Sequence, residues 1–455
     1  MRKSNFTIII PDLNEHGQYI VYNTRTQALI SINQEIKQAL DELPDCKDFE
    51  NGNKEILDAL HENGIVVNDD EEEKRLLEEY FNQIENNTDI TNFEVILLTT
   101  LNCNFACSYC YEAGAKDKKN LSQQTCDEVI SWFKYKIKSG GYKRINITYY
   151  GGEPLVNKKP IYYISHQLRP WCEANGVKYT FDMLSNGYLI DPHEVDEWIK
   201  LGFKGVQFTV DGDKASHDER RPLINGEETF ERIMNNIEAI IDKDIKVSIS
   251  GNYDQENVAA MVRLLDYLDE KGILRKLEDI AFSPILPRFG PKNNPGAVEL
   301  TKCLKKYDDD YFEMNLMLRR EVMKRGLPVP SGTGYIHCML VTKDDGVVID
   351  PHGLIYKCPT MVGYPEFSVG DVREREYNKK NDEFLQIRAW KRCEETCPYV
   401  PICNGGCRFL AYTRHGNFNN LWCERRNLDR MIPELIRLEY EKMQKQSFKE
   451  PALHG

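Results

Sequence analysis

The sequence predicts an α/β protein organised around a sheet of parallel strands. Between residues 91 and 290, six short, β-branched apolar runs alternate with amphipathic helical segments. This alternation implies right-handed crossover connections, which join parallel strands. Polar and cysteine-rich motifs follow several of the runs directly, where open α/β sheets place their ligands.

Residues 1–90 are predicted to form a separate module ahead of this sheet. The segments FTIIIP, YIVYNTRTQALISI and GIVVND have the composition of short strands, whereas EIKQALDEL, KEILDALHENG and EEEKRLLEEYFNQIE have helical periodicity. An exposed edge strand in such a module would bind an extended peptide by β-augmentation. A stabilising cap without a ligand fits the same pattern.

Residues 91–290 supply the parallel sheet. The predicted strands are VILLTT, INITYY, KYTFDMLS, VQFTVDG, KVSISGN and DIAFSPI. Ser122 is a good N-cap for the first helix, Asp191 starts a later helix, and Gly202 ends it. The remaining helices fall around residues 158–174 and in the segments TFERIMNNIEAIID and ENVAAMVRLLDYLDEKG.

Three further segments complete the chain. Residues 291–335 are predicted to be a linking region whose long amphipathic helix covers the open side of the sheet. Residues 336–430 form a cysteine-rich module that opens with the hairpin-like VTKDDGVVIDPHGLIYKC, and residues 431–455 form a C-terminal helix and tail.

Composition argues against two broad classes of function. The net charge of −13 offers no basic field for nucleic acid, and no apolar stretch approaches the roughly 18 residues of a membrane span. The apolar run near the N-terminus is too short for a signal peptide, which favours a cytoplasmic location. In such a chain, 14 cysteines indicate metal binding rather than disulfides. Four of them stand alone and are predicted to be buried small side chains: Cys46, Cys126, Cys172 and Cys303.

The most informative segment is LNCNFACSYCYEAG, residues 101–114, which follows the first predicted strand. Cys103, Cys107 and Cys110 form a C-x3-C-x2-C array. Three thiolates can hold three irons of a [4Fe–4S] cluster and leave the fourth iron free to chelate a substrate. An odd trio cannot pair fully in disulfides, and a structural zinc site needs four ligands.

With Tyr109 directly before the last cysteine, this array resembles the hallmark of the radical S-adenosylmethionine (SAM) superfamily. The resemblance implies that the sheet curves into a partial (β/α)6 barrel, with the chemistry at the carboxyl ends of its strands. It also implies that the three cysteines carry the catalytic cluster.

The same resemblance assigns SAM-binding residues to later strand ends. The GGEP element after INITYY would bind the methionine ammonium, and Ser185 and Asn186 suit the ribose or carboxylate. The HDERR segment places Arg221 on the SAM carboxylate, with Arg220 as the fallback and a solvent-facing arginine as the alternative. The full predicted set is Tyr109, Gly151, Gly152, Glu153, Ser185, Asn186, Gln207 and Arg221, in which the backbone beside Tyr109 meets the adenine and Gln207 lines the site.

The C-terminal module resembles the SPASM domain, which adds two auxiliary [4Fe–4S] clusters to some radical SAM proteins. Its cysteines are Cys338, Cys358, Cys393, Cys397, Cys403, Cys407 and Cys423. One residue more than usual separates Cys393 from Cys397. Applied to this sequence, the family's pattern of cluster ligands implies two sets. The outer cluster would be held by Cys393, Cys397, Cys403 and Cys423, and the inner cluster by Cys338, Cys358 and Cys407.

The inner set lacks a fourth cysteine, because none occurs in residues 339–352. We therefore expect an open iron that binds a substrate thiolate, since soft thiolates suit iron–sulfur sites. Closure of the site by His337 or by a lone cysteine is the alternative. A four-thiolate zinc site is a second alternative for the module.

Together these resemblances imply a cytoplasmic radical SAM peptide maturase that forms cysteine thioethers, as ranthipeptide and sactipeptide maturases do. The N-terminal module resembles a winged-helix domain that grips a precursor's leader peptide, and flavodoxin or ferredoxin is the expected electron donor. Oxidation of cysteine or serine in a sulfatase, carbon–carbon crosslinking and epimerisation also fit. A metal-stabilised peptide-binding scaffold is the non-enzymatic alternative.

Overall fold

A computed structural model describes residues 1–13, 15–43, 54–86, 91–110, 118–285, 309–329, 332–342 and 346–447. The chain divides into two compact, discontinuous units. The first comprises Met1–Asn87, Pro330–Cys338 and Ile387–Gly455, and the second comprises Thr88–Val329 and Met339–Gln386. The domain limits at residues 90, 290, 335 and 430 stay predictions, since these units group segments that are far apart in sequence.

The amino-terminal part of the first unit contains two small antiparallel sheets and several helices. Its strands are β1 (Arg2–Lys3), β2 (Thr7–Pro11), β3 (Gln18–Asn23), β4 (Leu29–Asn33) and β5 (Val66–Val67), and its helices are α1 (Gln34–Glu42), α2 (Lys54–Glu62) and α3 (Asp70–Glu85). Strands β2, β3 and β4 pair in that order, and β1 pairs with β5. Asn33 caps α1 by accepting a hydrogen bond from the Ile36 amide.

A nine-stranded sheet forms the centre of the second unit. Its strands are β6 (Asn92–Thr100), β7 (Arg144–Gly151), β8 (Lys178–Ser185), β9 (Phe203–Thr209), β10 (Lys246–Tyr253), β11 (Asp279–Pro284), β12 (Val347–Ile349), β13 (Leu354–Tyr356) and β14 (Gly370–Asp371). Strands β6 to β11 are parallel and neighbour one another in chain order. The predicted α/β fold, with its six parallel strands, is therefore confirmed.

Helices alternate with these strands as predicted. They are α4 (Gln123–Gly140), α5 (Lys159–Ala174), α6 (Pro192–Leu201), α7 (Lys214–Arg220), α8 (Phe230–Ile240), α9 (Val258–Glu270), α10 (Asp309–Lys324) and α11 (Lys379–Leu385). Ser122 caps α4 and Asp191 caps α6, each accepting a backbone N–H. Gly202 ends α6 with a φ of 110°, in the left-handed region that favours glycine.

The segment predicted as a hairpin forms one, because β12 and β13 pair antiparallel. Strand β12 also pairs in parallel with β6, so the hairpin continues the sheet beyond β6. Helix α10, the described part of the predicted linking helix, packs against β11 and α9. The rest of that predicted helix lies outside the described residues.

The carboxy-terminal part of the first unit contains α12 (Val400–Cys403), α13 (Arg408–His415) and α14 (Arg425–Ser447). It shares a core with the amino-terminal part. Phe81 of α3 stacks on Trp390 at a centroid distance of 4.5 Å. Beside it, Glu85 accepts a hydrogen bond from the Trp390 indole and pairs with Arg388 at 2.6 Å. In the described part of the chain, no helix has both the length and the hydropathy of a membrane span.

Candidate functional site

The cysteine loop, residues 101–110, leaves the carboxyl end of β6 and is fixed by backbone hydrogen bonds to the last residue of α7 and to the segment that follows it. The Ala106 amide donates to the Pro222 carbonyl at 2.9 Å, and the Ser108 amide donates to the Arg220 carbonyl at 3.2 Å. The loop is therefore held where the parallel strands end. Residues 111–114 of the predicted motif lie outside the described residues.

The three thiols of this loop are unpaired and close enough to influence one another's ionisation. Burial raises the pKa of Cys103 to about 12, and the neighbouring Cys107 and Cys110 act in the same direction. Burial also raises the pKa of Cys107 to about 11, which the Arg221 charge opposes. Without a metal, the Cys103 and Cys107 thiols keep their protons, so metal binding must release them.

This donor set fits a [4Fe–4S] cluster. Among the described residues, no three His, Cys, Asp or Glu side chains converge on a position for a single metal ion. The thiolates of a cubane bind different irons and lie further apart than the ligands of one ion do. Three neighbouring soft thiols therefore fit the cluster that the motif implies.

Gly151 and Gly152 bring the end of β7 against the cysteine loop. A Cβ on Gly151, where φ is 141°, would lie 2.2 Å from the Thr100 carbonyl oxygen. A Cβ on Gly152 would lie 2.3 Å from that of Asn102. Only glycine therefore allows these two segments to lie so close together. The contact of Gly151 and Gly152 with SAM stays a prediction.

Glu153 is fully buried, with 0% of its surface exposed. Its carboxylate accepts hydrogen bonds from the Asn186 amide at 2.7 Å, the Ser185 hydroxyl at 2.9 Å and the Leu155 amide at 3.1 Å. Burial raises the pKa of Glu153 to about 7, while these hydrogen bonds oppose the shift. In the structure Glu153 therefore ties the GGEP turn to the end of β8.

Asn186 links the end of β8 to the cysteine loop. Its side-chain amide donates to Asn104 Oδ1 at 2.9 Å and lies 3.9 Å from the Cys103 sulfur. Its own oxygen accepts from the Tyr188 amide. The structure thus brings the predicted residues Glu153, Ser185 and Asn186 together beside the first cysteine.

Arg221 and Tyr109 meet in a buried network at the ends of β9 and β10. The Arg221 guanidinium donates to the Tyr109 hydroxyl at 2.5 Å, and that hydroxyl donates to Asp211. The Asn252 amide donates to the second Asp211 oxygen at 2.8 Å. Burial raises the pKa of Tyr109, so the phenol keeps its proton. Arg221 is 7% exposed, which excludes the solvent-facing alternative for its side chain.

Asp211, Asn252 and His217 are the network members that sequence reasoning missed. His217 Nδ1 accepts from the Asp211 amide at 3.1 Å, so its proton lies on Nε2, 3.1 Å from the Thr229 hydroxyl. Thr229 in turn donates to the Arg221 carbonyl at 2.8 Å. Burial lowers the pKa of His217 to about 3, so the ring stays neutral. The signal available in the sequence was a carboxylate at the strand end and a histidine within HDERR.

The fallback residue Arg220 has a different role from Arg221. Its guanidinium pairs with Asp254 at 2.8 Å, and both side chains are largely buried. Gln207 lies half-buried on β9, in register with Leu184 of β8 and Ser248 of β10. Its predicted contact with SAM stays a prediction.

The predicted outer cysteine set lies together in the first unit. Burial raises the pKa of Cys403 to about 12, and Cys393, Cys397 and Cys423 each add to that shift by charge repulsion. Cys338 and Cys407 of the predicted inner set also belong to this unit, whereas Cys358 follows β13 in the second unit. The division of these cysteines into two clusters stays a prediction.

The lone cysteines behave as predicted where they are described. Cys126 on α4 is 2% exposed and Cys172 on α5 is 0% exposed. Burial raises the pKa of each thiol to about 12, as expected for small apolar side chains. Cys46 and Cys303 lie outside the described residues.

Comparison with known proteins agrees with this geometry. Residues 97–268 match the model of the Radical SAM superfamily. A cysteine-type anaerobic sulfatase-maturating enzyme of Clostridium perfringens is 22% identical over 331 residues, which are 67% of this chain and 86% of that protein. The TigE radical SAM cyclopropyl synthase of Paramaledivibacter caminithermalis is 23% identical over 399 residues, 80% of this chain and 78% of that one.

Two kinds of solved structure share the fold. The native anSMEcpe enzyme with bound AdoMet superposes with a TM-score of 0.61 at 19% identity and covers 77% of this chain and 100% of that one. SuiB of Streptococcus suis, bound to its precursor peptide SuiA, gives a TM-score of 0.51 at 14% identity and covers 93% of this chain and 99% of that one.

Proposed function

Because the chain contains a radical SAM domain, we propose that it is a SAM-dependent iron–sulfur enzyme that modifies a ribosomally made precursor peptide. The observation that carries this proposal is the convergence of the cysteine loop, the GGEP turn and Arg221 at the carboxyl ends of the parallel strands. The family implies a [4Fe–4S] cluster and SAM as cofactors. A non-enzymatic peptide-binding scaffold would not need these three elements to converge.

Cys103, Cys107 and Cys110 would hold the catalytic cluster, and its open iron would take SAM. When bound, the cluster supplies the electron that cleaves SAM to a 5′-deoxyadenosyl radical. The residues around it position and shield the reactants rather than move protons. Glu153 aligns the GGEP turn with Ser185 and Asn186, while the Tyr109–Asp211 contact fixes the loop beside Cys110.

The Arg221 guanidinium is suited to the SAM carboxylate. It is a permanent cation, and a carboxylate is its preferred partner in a bidentate contact. The Asp211 carboxyl lies 3.8 Å away and the Tyr109 hydroxyl 2.5 Å away. A ligand carboxylate would therefore compete with these partners for the guanidinium. The hydrogen bonds from His217 to Thr229 and from Thr229 to the Arg221 carbonyl would hold the Arg221 backbone in place while the guanidinium changes partners.

The auxiliary cysteines would bind two further clusters, with the outer one on Cys393, Cys397, Cys403 and Cys423. The inner set, Cys338, Cys358 and Cys407, would leave one iron for a substrate thiolate. The chemistry that such a site would supply is a bond between a substrate carbon, from which a hydrogen atom has been removed, and the cysteine sulfur, with the auxiliary clusters as the acceptor of the one remaining electron. No general base is required, because binding to iron already favours the thiolate.

Strand β4 is the best candidate for leader recognition. It is an edge of its three-stranded sheet, and Ser31 and Asn33 are exposed along it. The opposite edge, β2, carries Pro11, which cannot donate a backbone hydrogen bond. An extended leader would add to β4, and SuiB is a neighbour bound to its precursor peptide. Slower hydrogen exchange of the β4 amides, with those of the β2 edge unchanged, would be the signature of this binding.

Oxidation of a cysteine or serine in a sulfatase is the second candidate. Several relatives at 22–23% identity carry the name anaerobic sulfatase-maturating enzyme. Similarity at this level shows the fold and leaves the substrate open. The match to SuiB extends over 93% of the chain, and a function in sulfatase maturation gives residues 1–90 no role. We therefore favour a precursor peptide with a leader sequence as the substrate.

The deciding experiment supplies the purified, reconstituted enzyme with SAM, a reductant and two peptides. One is encoded by a cysteine-rich reading frame beside the gene, and the other is a cysteine-containing sulfatase peptide. We expect 5′-deoxyadenosine to form and the first peptide to lose two hydrogen atoms while its free thiol disappears. Conversion of only the sulfatase peptide to an aldehyde would replace the thioether proposal with the second candidate. The variant C103A/C107A/C110A is the control and should form no 5′-deoxyadenosine.

A further inference from the structure

Arg408 is a buried arginine at the start of α13 that binds the backbone of two segments at once. Arg408 is only 2% exposed. Its guanidinium donates to Gly405 and, at 3.0 Å, to Gly406 on one side. On the other side it donates to the Phe418 carbonyl at 3.0 Å and to that of Asn420 at 2.9 Å. Arg408 therefore joins two loops that lie on either side of α13 in the sequence.

These two loops carry auxiliary cysteines. Gly405 and Gly406 form the turn between Cys403 and Cys407, and the 418–420 segment leads directly to Cys423. The contact between the loops is close, since a Cβ on Gly406 would lie 2.0 Å from the Trp422 carbonyl oxygen. The guanidinium thus fixes the spacing of cysteines from both predicted sets.

The charge of Arg408 has no carboxylate partner within 4 Å in the part of the chain that the structure describes. A buried cation without an anion is costly, even when carbonyl groups solvate it. Four cysteine side chains, from both predicted sets, lie close enough to influence this charge: Cys338 and Cys407 of the inner set and Cys393 and Cys403 of the outer set. Bound to iron, these sulfurs would carry negative charge permanently.

We propose that Arg408 is a positioning residue shared by the two auxiliary clusters, holding the loops that ligate them and offsetting their negative charge. This inference rests on the proposed function, which assigns these cysteines to clusters. The net charge around an iron–sulfur cluster is one determinant of its reduction potential. A buried cation beside the clusters favours the reduced, more negative state and so raises their potentials, which suits clusters that accept an electron from the substrate.

The test compares the full-length enzyme with R408Q, R408K and the control R414Q. Arg414 lies exposed on the same helix, over the Trp422 ring. Iron content is measured first, and the midpoint potential of each cluster is then determined by a redox titration followed by electron paramagnetic resonance.

For R408Q we expect the reduction equilibrium of the auxiliary clusters to fall at least tenfold, which is about 59 mV for one electron. The SAM-bound cluster and the control R414Q should be unchanged. R408K keeps the charge but cannot bridge the four carbonyls, so its potentials should stay near the wild-type values. A chelator should nevertheless remove its auxiliary iron faster.

Wild-type potentials and wild-type iron retention in both R408Q and R408K would overturn the inference. If R408Q does not fold, R408K decides by its rate of auxiliary iron loss, provided that the SAM-site signal is intact. A wild-type enzyme that holds iron for only one cluster would instead refute the auxiliary-cluster assignment. That result appears before any substitution is made, so the two failures are distinguishable.

Discussion

Glu153 gives the sharpest test of the site's electrostatics, because its burial is complete and its partners are known. Ionisation in the folded protein is unfavourable, since the pKa rises from an ordinary 4.5 to about 7. At about 1.36 kcal/mol per pKa unit, the full cost is about 3 kcal/mol, reached above pH 7. Because the folded-state pKa is raised, this cost is absent in acid and grows as the pH rises from about 4.5 to about 7.

The substitution Glu153→Gln removes this titration. Between about pH 5.5 and about pH 8, Glu153 should lower the free energy of unfolding of the wild type by about 2 kcal/mol. The variant should lack this component, although its amide cannot accept all three hydrogen bonds and its absolute stability should fall at acidic pH. His217 has the opposite effect, since a depressed pKa costs stability as the pH falls below 6.5. That effect is common to both proteins and cancels in the comparison.

The assay is urea unfolding of the metal-free proteins under anaerobic conditions at several pH values. Glu231→Gln, at an exposed position on α8, is the matched control and should keep the wild-type pH dependence. If E153Q and the wild type show the same pH dependence, Glu153 is not ionising at a cost, and the argument for its buried, charged role in the GGEP turn is refuted.

Three further substitutions test the packing around the site and in the first unit. Gly152→Ala should force the cysteine loop away from a 2.3 Å contact, cost about 1–3 kcal/mol in stability and reduce iron bound at that loop. Gly272→Ala, whose Cβ would meet nothing within 4 Å but whose φ of 67° makes an alanine strained, is the control for a loss of stability away from the site and should keep the wild-type iron content. Equal iron content in the two variants would contradict the prediction. His217→Phe leaves the Asp211 amide unpaired, so it should lower the free energy of unfolding by about 1–3 kcal/mol and weaken SAM binding measured by calorimetry. The control His166→Phe, at an exposed position on α5, should change neither quantity. Phe81→Ala removes the stack on Trp390 and should lower the free energy of unfolding of the first unit by about 3–5 kcal/mol, measured by thermal unfolding. The control is Ile56→Ala, at a partly exposed position. A loss of stability in Phe81→Ala no larger than that in the control would argue against the shared core.

The parallel strands were predictable because each is signalled by its own local pattern. The runs of β6 to β11 are apolar and β-branched, and caps such as Ser122 and Asp191 act within a few residues. The pairing of β12 with β6 was not predictable, since β12 has only three residues and its partner lies about 250 residues earlier. The stacking of Phe81 on Trp390 is equally non-local, and no local periodicity encodes it.

The site was predictable in its motifs but not in its internal contacts. Spacing identified the cysteine trio, and the GGEP element marked a second segment of the site. Neither revealed that the glycines approach the cysteine loop itself or that Glu153 is enclosed by protein donors. The roles of Asp211 and Asn252 depend on β9 and β10 ending side by side, which a single sequence does not specify.

The proposal that this enzyme binds one catalytic and two auxiliary clusters can be checked by counting iron, acid-labile sulfide and zinc per chain after anaerobic purification. Three clusters correspond to roughly twelve irons with matching sulfide in the wild type and roughly eight in C103A/C107A/C110A, and we expect little zinc in either. About four irons with one or two zincs in the wild type would contradict the auxiliary clusters and the thioether mechanism. Little iron after reconstitution would contradict the enzyme assignment itself.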